Sequence, residues 1–155
     1  MSDIPLLSVP VRVVVFCHDH PDERSFDPDP DETGRREIEL RTTPPTGSFS
    51  VVGWRHAGLN AAALAAAAGS RVDRLVLCCV PAPLDAKLDF DPGDIAAKTL
   101  LLFGQADPDA SSRHARWWKD HIPDSRVEMV PRAGSDIIST MWGRVLSHAA
   151  PSSLR

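Results

Sequence analysis

Arg55 and the histidines His18, His20 and His56 are the side chains best suited to bind a small anion. A guanidinium stays protonated at any ordinary pH and offers its N–H donors to carboxylate or phosphate oxygens. Arg55 also stands directly before an alanine-rich segment, where the free amides of a helix N-terminus add to the attraction for negative charge. This combination predicts a site for a small carboxylate or phosphate ester, with the three histidines at its rim.

Hydrolysis by an unusual nucleophile is the alternative that the residue types leave open. Serine hydrolysis requires a hydroxyl, an imidazole that deprotonates it and a carboxylate that orients the imidazole. The candidate groups are Cys17, Ser135 with Asp136, and Ser111 or Ser112 near His114. None of them stands in a recognised nucleophile turn with a matched base, and Cys17 ends an apolar run that predicts burial. The alternative function is therefore a residual hydrolase of small esters or lactones.

The elements that must position these residues are six short apolar strands and several helices. Continuous apolar runs such as VRVVVFC predict strands that are buried on both faces of a parallel sheet. The predicted strands are 11–17, 36–41, 48–53, 72–79, 98–103 and 126–130. Helices are predicted over Leu59 to Gly69, Ser111 to His121 and Ile137 to Ala150. The pattern predicts an α/β fold in one domain, 1–155, with a mostly parallel central sheet flanked by helices.

The connection from residue 41 to residue 47 is unusually short for such a sheet. Two adjacent parallel strands need a crossover of a dozen or more residues, and RTTPPTG supplies about seven. Either the strand at 36–41 is an edge element with unusual pairing, or this region is organised differently. If a helix is missing there, apolar sheet surface is left uncovered and predicts a homodimer.

Four short motifs, in this order and spacing, resemble the α/β-hydrolase family. Gly53-Trp54-Arg55-His56-Ala57-Gly58 resembles its nucleophile turn between a strand and a helix. Gly104-Gln105-Ala106-Asp107 resembles the segment that carries the family's acid, and Ala133-Gly134-Ser135-Asp136 the one that carries its histidine. The fourth, His18-Asp19-His20-Pro21, resembles the loop that gives one oxyanion donor. The resemblance covers residues 11 to 150 and implies a reduced α/β-hydrolase fold without a lid between Val80 and Ala97.

The resemblance also implies that two of the three catalytic roles are vacant. Arg55 stands at the place of the nucleophilic serine, and a guanidinium is neither nucleophile nor base. Ser135 stands at the place of the histidine, so Asp107 keeps the acid position without its partner. This implies a catalytically inactive binding or assembly module. An Arg55–Asp107 ion pair is expected, either as a plain neutralisation of two poorly solvated charges or as part of a ligand site.

Composition excludes several other classes of function. The 155 residues carry a net charge of −4 with scattered basic residues, which argues against nucleic acid and anionic membrane as partners. An odd count of three cysteines, with Cys78 and Cys79 adjacent in a predicted strand, suits structural thiols in a reducing compartment. No Cys/His spacing predicts a metal site, and no cofactor is expected. A cytoplasmic location follows from the lack of a signal or spanning segment.

Overall fold

A computed structural model describes residues 12–17, 36–39, 44–84, 87–134 and 136–151. Its centre is a six-stranded sheet in the order β2-β1-β3-β4-β5-β6, with every neighbouring pair parallel. The strands are β1 Arg12–Cys17, β2 Arg36–Glu39, β3 Phe49–Trp54, β4 Val72–Cys78, β5 Lys98–Gly104 and β6 Ser125–Val130. The α-helices are α1 Gly58–Ala68, α2 Ser112–His121, α3 Ile137–Thr140 and α4 Trp142–Ala149. The predicted α/β fold with a parallel sheet of about six strands is confirmed.

The central strands are buried on both faces because their side chains alternate between two hydrophobic clusters. Val51, Leu75 and Leu101 belong to the cluster under α1 and α2. Their neighbours in sequence, such as Val76 and Leu100, belong to the cluster under α3 and α4. A strand with helices on both sides needs apolar residues at every position, which explains the uninterrupted apolar runs in the sequence.

The alanine-rich helix α1 confirms the helix predicted between Leu59 and Gly69. Its buried positions are occupied largely by alanine, so its backbone approaches β3 and β4 closely. Gly69 ends the helix with a φ of 58°, a conformation that glycine adopts without a steric penalty.

The short connection between β2 and β3 is explained by strand order. β2 is an edge strand paired with β1, and β1 lies between β2 and β3. A connection from Glu39 to Phe49 must run back along the length of a short strand, roughly 13 Å, and across two interstrand spacings, roughly 10 Å. The edge position is thus confirmed, but its pairing is ordinary and parallel; residues 40–43 lie outside the described residues. Val14 to Cys17 of β1 are buried. The expected homodimer stays a prediction.

The C-terminal helix predicted over Ile137 to Ala150 is divided in two. Met141, with a φ of −104° and a ψ of 17°, interrupts the helix between α3 and α4. The adjacent tryptophans of α2, Trp117 and Trp118, have different surroundings. Trp118 is fully buried and donates its Nε1–H to the Val80 carbonyl at 3.0 Å, whereas Trp117 is half-buried and stacks on His121.

No helix within the described ranges is long and apolar enough to cross a membrane.

Candidate functional site

The candidate site begins at the turn between β3 and α1, where Arg55 has a left-handed backbone with a φ of 59°. This conformation is costly for a residue with a Cβ and is held in place by the packing around it. A Cβ built on Gly53 would lie 2.6 Å from the Cβ of Ala61 and 2.7 Å from the Cα of Gly58. Gly58 in turn packs against the side chain of Val80 with no room for a Cβ. The two glycines therefore allow a turn so tight that Arg55 is pushed out of the usual backbone regions.

The guanidinium of Arg55 lies against the indole of Trp54. The central carbon of the guanidinium is 5.8 Å from the ring centroid, within the range of a cation–π contact. Arg55 is half-buried and His56, next to it, is exposed. Of the histidines predicted at the rim, His18 and His20 lie outside the described residues. The structure therefore places Arg55 and His56 together at the carboxyl edge of the sheet, just before α1.

Asp107 follows β5 at the same edge and is only 3% exposed. Its Oδ1 accepts the backbone N–H of Asp109 at 2.9 Å. Its Oδ2 is buried and has no hydrogen-bond partner among the described residues. A buried carboxylate oxygen without a donor is energetically unfavourable and is uncommon in folded proteins.

The expected ion pair between Arg55 and Asp107 is not formed; the described ion pairs join Glu128 to Arg144 and to Arg126. The strand order explains its absence, because β4 separates β3 from β5. The two positions therefore stand across two interstrand spacings, roughly 10 Å. The Arg55 side chain remains over the neighbouring indole instead of crossing that distance.

The loop after β6 closes over the end of β5. The Ala106 N–H donates to the Ala133 carbonyl at 2.8 Å, and the Cys79 thiol lies 3.8 Å from the Gly134 carbonyl oxygen. A Cβ on Gly104 would collide with the carbonyl oxygens of Ala133 and Gly134. Ser135, at the predicted histidine position, lies outside the described residues. Ala133 and Gly134 are held next to Ala106 and Cys79 by these contacts.

The other nucleophile candidates are poorly placed for chemistry. Cys17 is buried, and its burial raises the pKa of the thiol to about 11, so the reactive thiolate is scarce at neutral pH. His114 accepts the Ala82 N–H on its Nδ1 at 2.8 Å, which makes it a structural contact of the loop after β4. Burial likewise raises the pKa of Cys78, which packs beside Cys79. Within the part of the chain that the structure describes, no three metal-ligating side chains form a group.

The sequence matches no family model and no curated protein, whereas the fold matches many solved structures. CarC, a serine hydrolase involved in carbazole degradation, aligns with a TM-score of 0.72 over 94% of this chain and 92% of that chain. The chain has an α/β-hydrolase fold. The 2-hydroxy-6-oxo-6-phenylhexa-2,4-dienoate hydrolase of Rhodococcus sp. strain RHA1 aligns with a TM-score of 0.68, over 89% of this chain and 90% of that chain. A thermophilic esterase from Thermogutta terrifontis aligns with a TM-score of 0.66, over 88% of this chain and 86% of that chain.

These three structures are 12%, 11% and 15% identical to the chain, so the likeness establishes the fold alone. In an α/β-hydrolase fold the nucleophile stands on a sharp turn between a strand and a helix. Arg55 stands on such a turn, and its left-handed backbone is the detail that motif matching missed. The signal that would have revealed it is the close spacing of Gly53 and Gly58 around one bulky, charged residue.

Proposed function

We propose that this protein is a catalytically inactive member of the α/β-hydrolase fold that acts as a binding module for a small anionic ligand. The observation that carries the proposal is Arg55, a permanently charged residue held with left-handed backbone on the turn between β3 and α1. The tight contacts of the turn are made by Gly53, Gly58 and Ala61, and Arg55 lies between the two glycines. A costly backbone conformation that presents a cation at a sheet edge favours a role in recognition.

Loss of serine-hydrolase chemistry is supported by residue type at two positions. A guanidinium has no lone pair with which to attack a carbonyl, and a serine hydroxyl does not act as a general base at neutral pH. The unpartnered Oδ2 of Asp107 fits the same proposal, since a carboxylate that oriented an imidazole would be hydrogen-bonded. The buried Cys17 and the structurally engaged His114 offer no obvious replacement.

A small carboxylate or phosphate ester is the ligand class that suits the surroundings of Arg55. The guanidinium provides a pair of parallel donors for two anion oxygens. Arg55 begins a single 3-10 turn, Arg55–Ala57, which leads directly into the eleven-residue helix α1, so the positive end of the helix dipole lies at this turn. The indole of Trp54 positions the guanidinium and limits its motion. His56, the next residue in the chain, is exposed on the same turn.

Calorimetric titration with acetate and with inorganic phosphate tests the proposal directly. We expect saturable binding to the natural protein and a loss of affinity of about tenfold or more in the Arg55→Gln variant, which lacks the charge. Arg116→Gln is the matched control, because Arg116 is an exposed arginine in the middle of α2. Equal affinities in all three proteins, or no binding of either anion at millimolar concentration, would contradict an anion site at Arg55.

A further inference from the structure

The outer edge of β6 presents backbone groups that have no partner in the sheet. β6 is the last strand and pairs only with β5. On the side that faces β5, the Asp124 carbonyl accepts the Thr99 N–H at 2.8 Å, and the Val130 carbonyl accepts the Gln105 N–H at 2.9 Å. Alternate residues of a strand face the same neighbour, so Ser125, Val127 and Met129 direct their N–H and C=O groups outward. Among the residues that the structure describes, none forms a backbone hydrogen bond with that side of β6.

An open groove runs between this edge and helix α2. Its volume is about 700 Å³, and its walls include Ala115 and Arg116 of α2 and the side chains of Val127 and Met129. Val127 and Met129 are half-buried and pack against the hydrophobic cluster under α2. An edge strand with apolar side chains and free backbone groups is a template for pairing with another strand.

We propose that a second copy of this chain pairs with the β6 edge, antiparallel and around a two-fold axis at Val127. In that register Val127 lies opposite the partner's Val127, and Ser125 lies opposite the partner's Met129. The three outward-facing residues then exchange all their N–H and C=O groups with the same three residues of the other copy. The two sheets join into one, and the contact closes because both copies use the same surface.

Charge selects this register over its neighbours. Centred on Val127, the pairing sets Arg126 opposite the partner's Glu128 on both sides of the axis. Opposite charges at directly facing positions stabilise an antiparallel pair, and like charges destabilise it. A shift that centres the pair on Arg126 or on Glu128 keeps the backbone pattern but places two arginines or two glutamates face to face. Only the register at Val127 satisfies both the backbone and the charges.

Glu128 is already held in position for this contact. Arg144 of α4 donates from Nε to Oε1 of Glu128 at 3.1 Å and from Nη2 to Oε2 at 2.5 Å. In the same strand as Glu128, Nη2 of Arg126 lies 3.4 Å from Oε2 of Glu128. The Glu128 side chain remains 32% exposed. An acidic extended peptide is the competing occupant, because Arg116 and Lys119 line the groove. Such a peptide would not use the alternation of Arg126 and Glu128, which matches a second copy.

A charge exchange across the two-fold axis tests the inference, which does not depend on ligand binding at Arg55. Arg126→Glu places glutamate opposite glutamate, and Glu128→Arg places arginine opposite arginine, so each variant alone should dimerise at least about tenfold more weakly. Mixed together, the two variants restore opposite charges at both positions. We expect sedimentation velocity to show a dimer for the natural protein, monomers for each variant and a heterodimer for the mixture.

A second pair of variants tests the backbone contact without altering charge. Val127→Pro removes an outward N–H that does not serve the bond to β5, whereas Val127→Ala keeps it. We expect dimerisation to be lost with proline and retained with alanine, while circular dichroism shows both to be folded. A natural protein that stays monomeric up to submillimolar concentration overturns the inference. So does a dimer that survives both Arg126→Glu and Val127→Pro, or a folded mixture of charge variants that stays monomeric.

Discussion

Asp107 accepts the backbone N–H of Asp109 at 2.9 Å through Oδ1, and this bond holds the carboxylate in place while Oδ2 has no hydrogen-bond partner among the described residues. The carboxylate is therefore oriented by a bond within its own turn. Buried polar side-chain atoms without a hydrogen bond are uncommon in folded proteins, so the effect of this oxygen on stability can be tested by substitution.

Asp107→Asn keeps an Oδ1 acceptor for the Asp109 N–H and replaces only Oδ2. We expect the free energy of unfolding to change by less than about 1 kcal/mol, because the replaced oxygen has no described donor to lose. Asp107→Ala is the matched comparison, and it should be destabilising because the bond to Asp109 is lost. Chemical denaturation measures both. A substantial loss of stability in the asparagine variant would mean that Oδ2 is paired in solution.

Arg55→Gly and Arg55→Ala both remove the guanidinium, but only glycine adopts a φ of 59° without a steric penalty. We expect the glycine variant to be more stable than the alanine variant by about 1 kcal/mol, the usual cost of a left-handed residue with a Cβ. The difference is measured by urea denaturation of the two variants side by side. Equal stabilities, or a more stable alanine variant, would show that the turn is not left-handed.

Gly104→Ala should disrupt the contact between the end of β5 and the loop after β6. Its Cβ would lie 2.6 Å from the Gly134 oxygen and closer still to that of Ala133. We expect a loss of about 2 kcal/mol, since backbone atoms do not yield easily. Gly143→Ala in α4 is the control, because a Cβ there meets nothing within 4 Å and should stabilise the helix by about 0.5 kcal/mol. Thermal unfolding in which both variants behave alike would contradict the close approach at Gly104.

Much of the fold was predictable because its signals are local. The apolar runs at Val13–Cys17 and Leu100–Phe103 predict strands buried on both faces, and the alanine run before Gly69 predicts a helix and its end. Pairing is not local, and the edge position of β2 follows only from the insertion of β1 between β2 and β3.

The places of Arg55 and Asp107 in the fold were predictable, but their contacts were not. The turn at Arg55 and the segment of Asp107 were both found at the carboxyl edge of the sheet, as motif order predicted. Their expected ion pair failed because β4 separates them, and no sequence motif encodes that distance. The left-handed backbone of Arg55 depends on the packing of Gly53 against Ala61, which is a tertiary contact.

His148, buried in α4, should make stability depend on pH. Its Nε2–H donates to the Lys98 carbonyl at 2.9 Å. Burial is the largest cause that lowers the pKa of His148 from its usual 6.5. The hydrogen bond to the Lys98 carbonyl opposes it, and the charges of Arg74, Arg144 and Arg126 add to the lowering. The unfolded chain therefore binds a proton more readily than the folded one. Stability should fall as the pH drops through about 6.5, by at most about 1.4 kcal/mol per pH unit.

His148→Gln keeps a donor for the Lys98 carbonyl and does not titrate. Urea denaturation between roughly pH 7.5 and pH 5.5 should show the fall in stability in the natural protein and a flatter profile in the variant. Glu128 does not change stability in this pH range, because its hydrogen bond to Arg144 lowers the pKa of its carboxyl. Its contribution to stability is lost only at more acidic pH. Identical slopes in the two proteins would exclude His148 as the source.

Labelling by a fluorophosphonate probe, read by intact mass, tests the central claim most directly. The natural protein is compared with an Arg55→Ser, Ser135→His variant, alongside turnover of a short-chain nitrophenyl ester. The account predicts that probe labelling and ester turnover of the natural protein do not exceed those of an inert control. It predicts that the variant is labelled at residue 55. Labelling or ester turnover by the natural protein above that control would contradict it and would show that the chain retains a nucleophile.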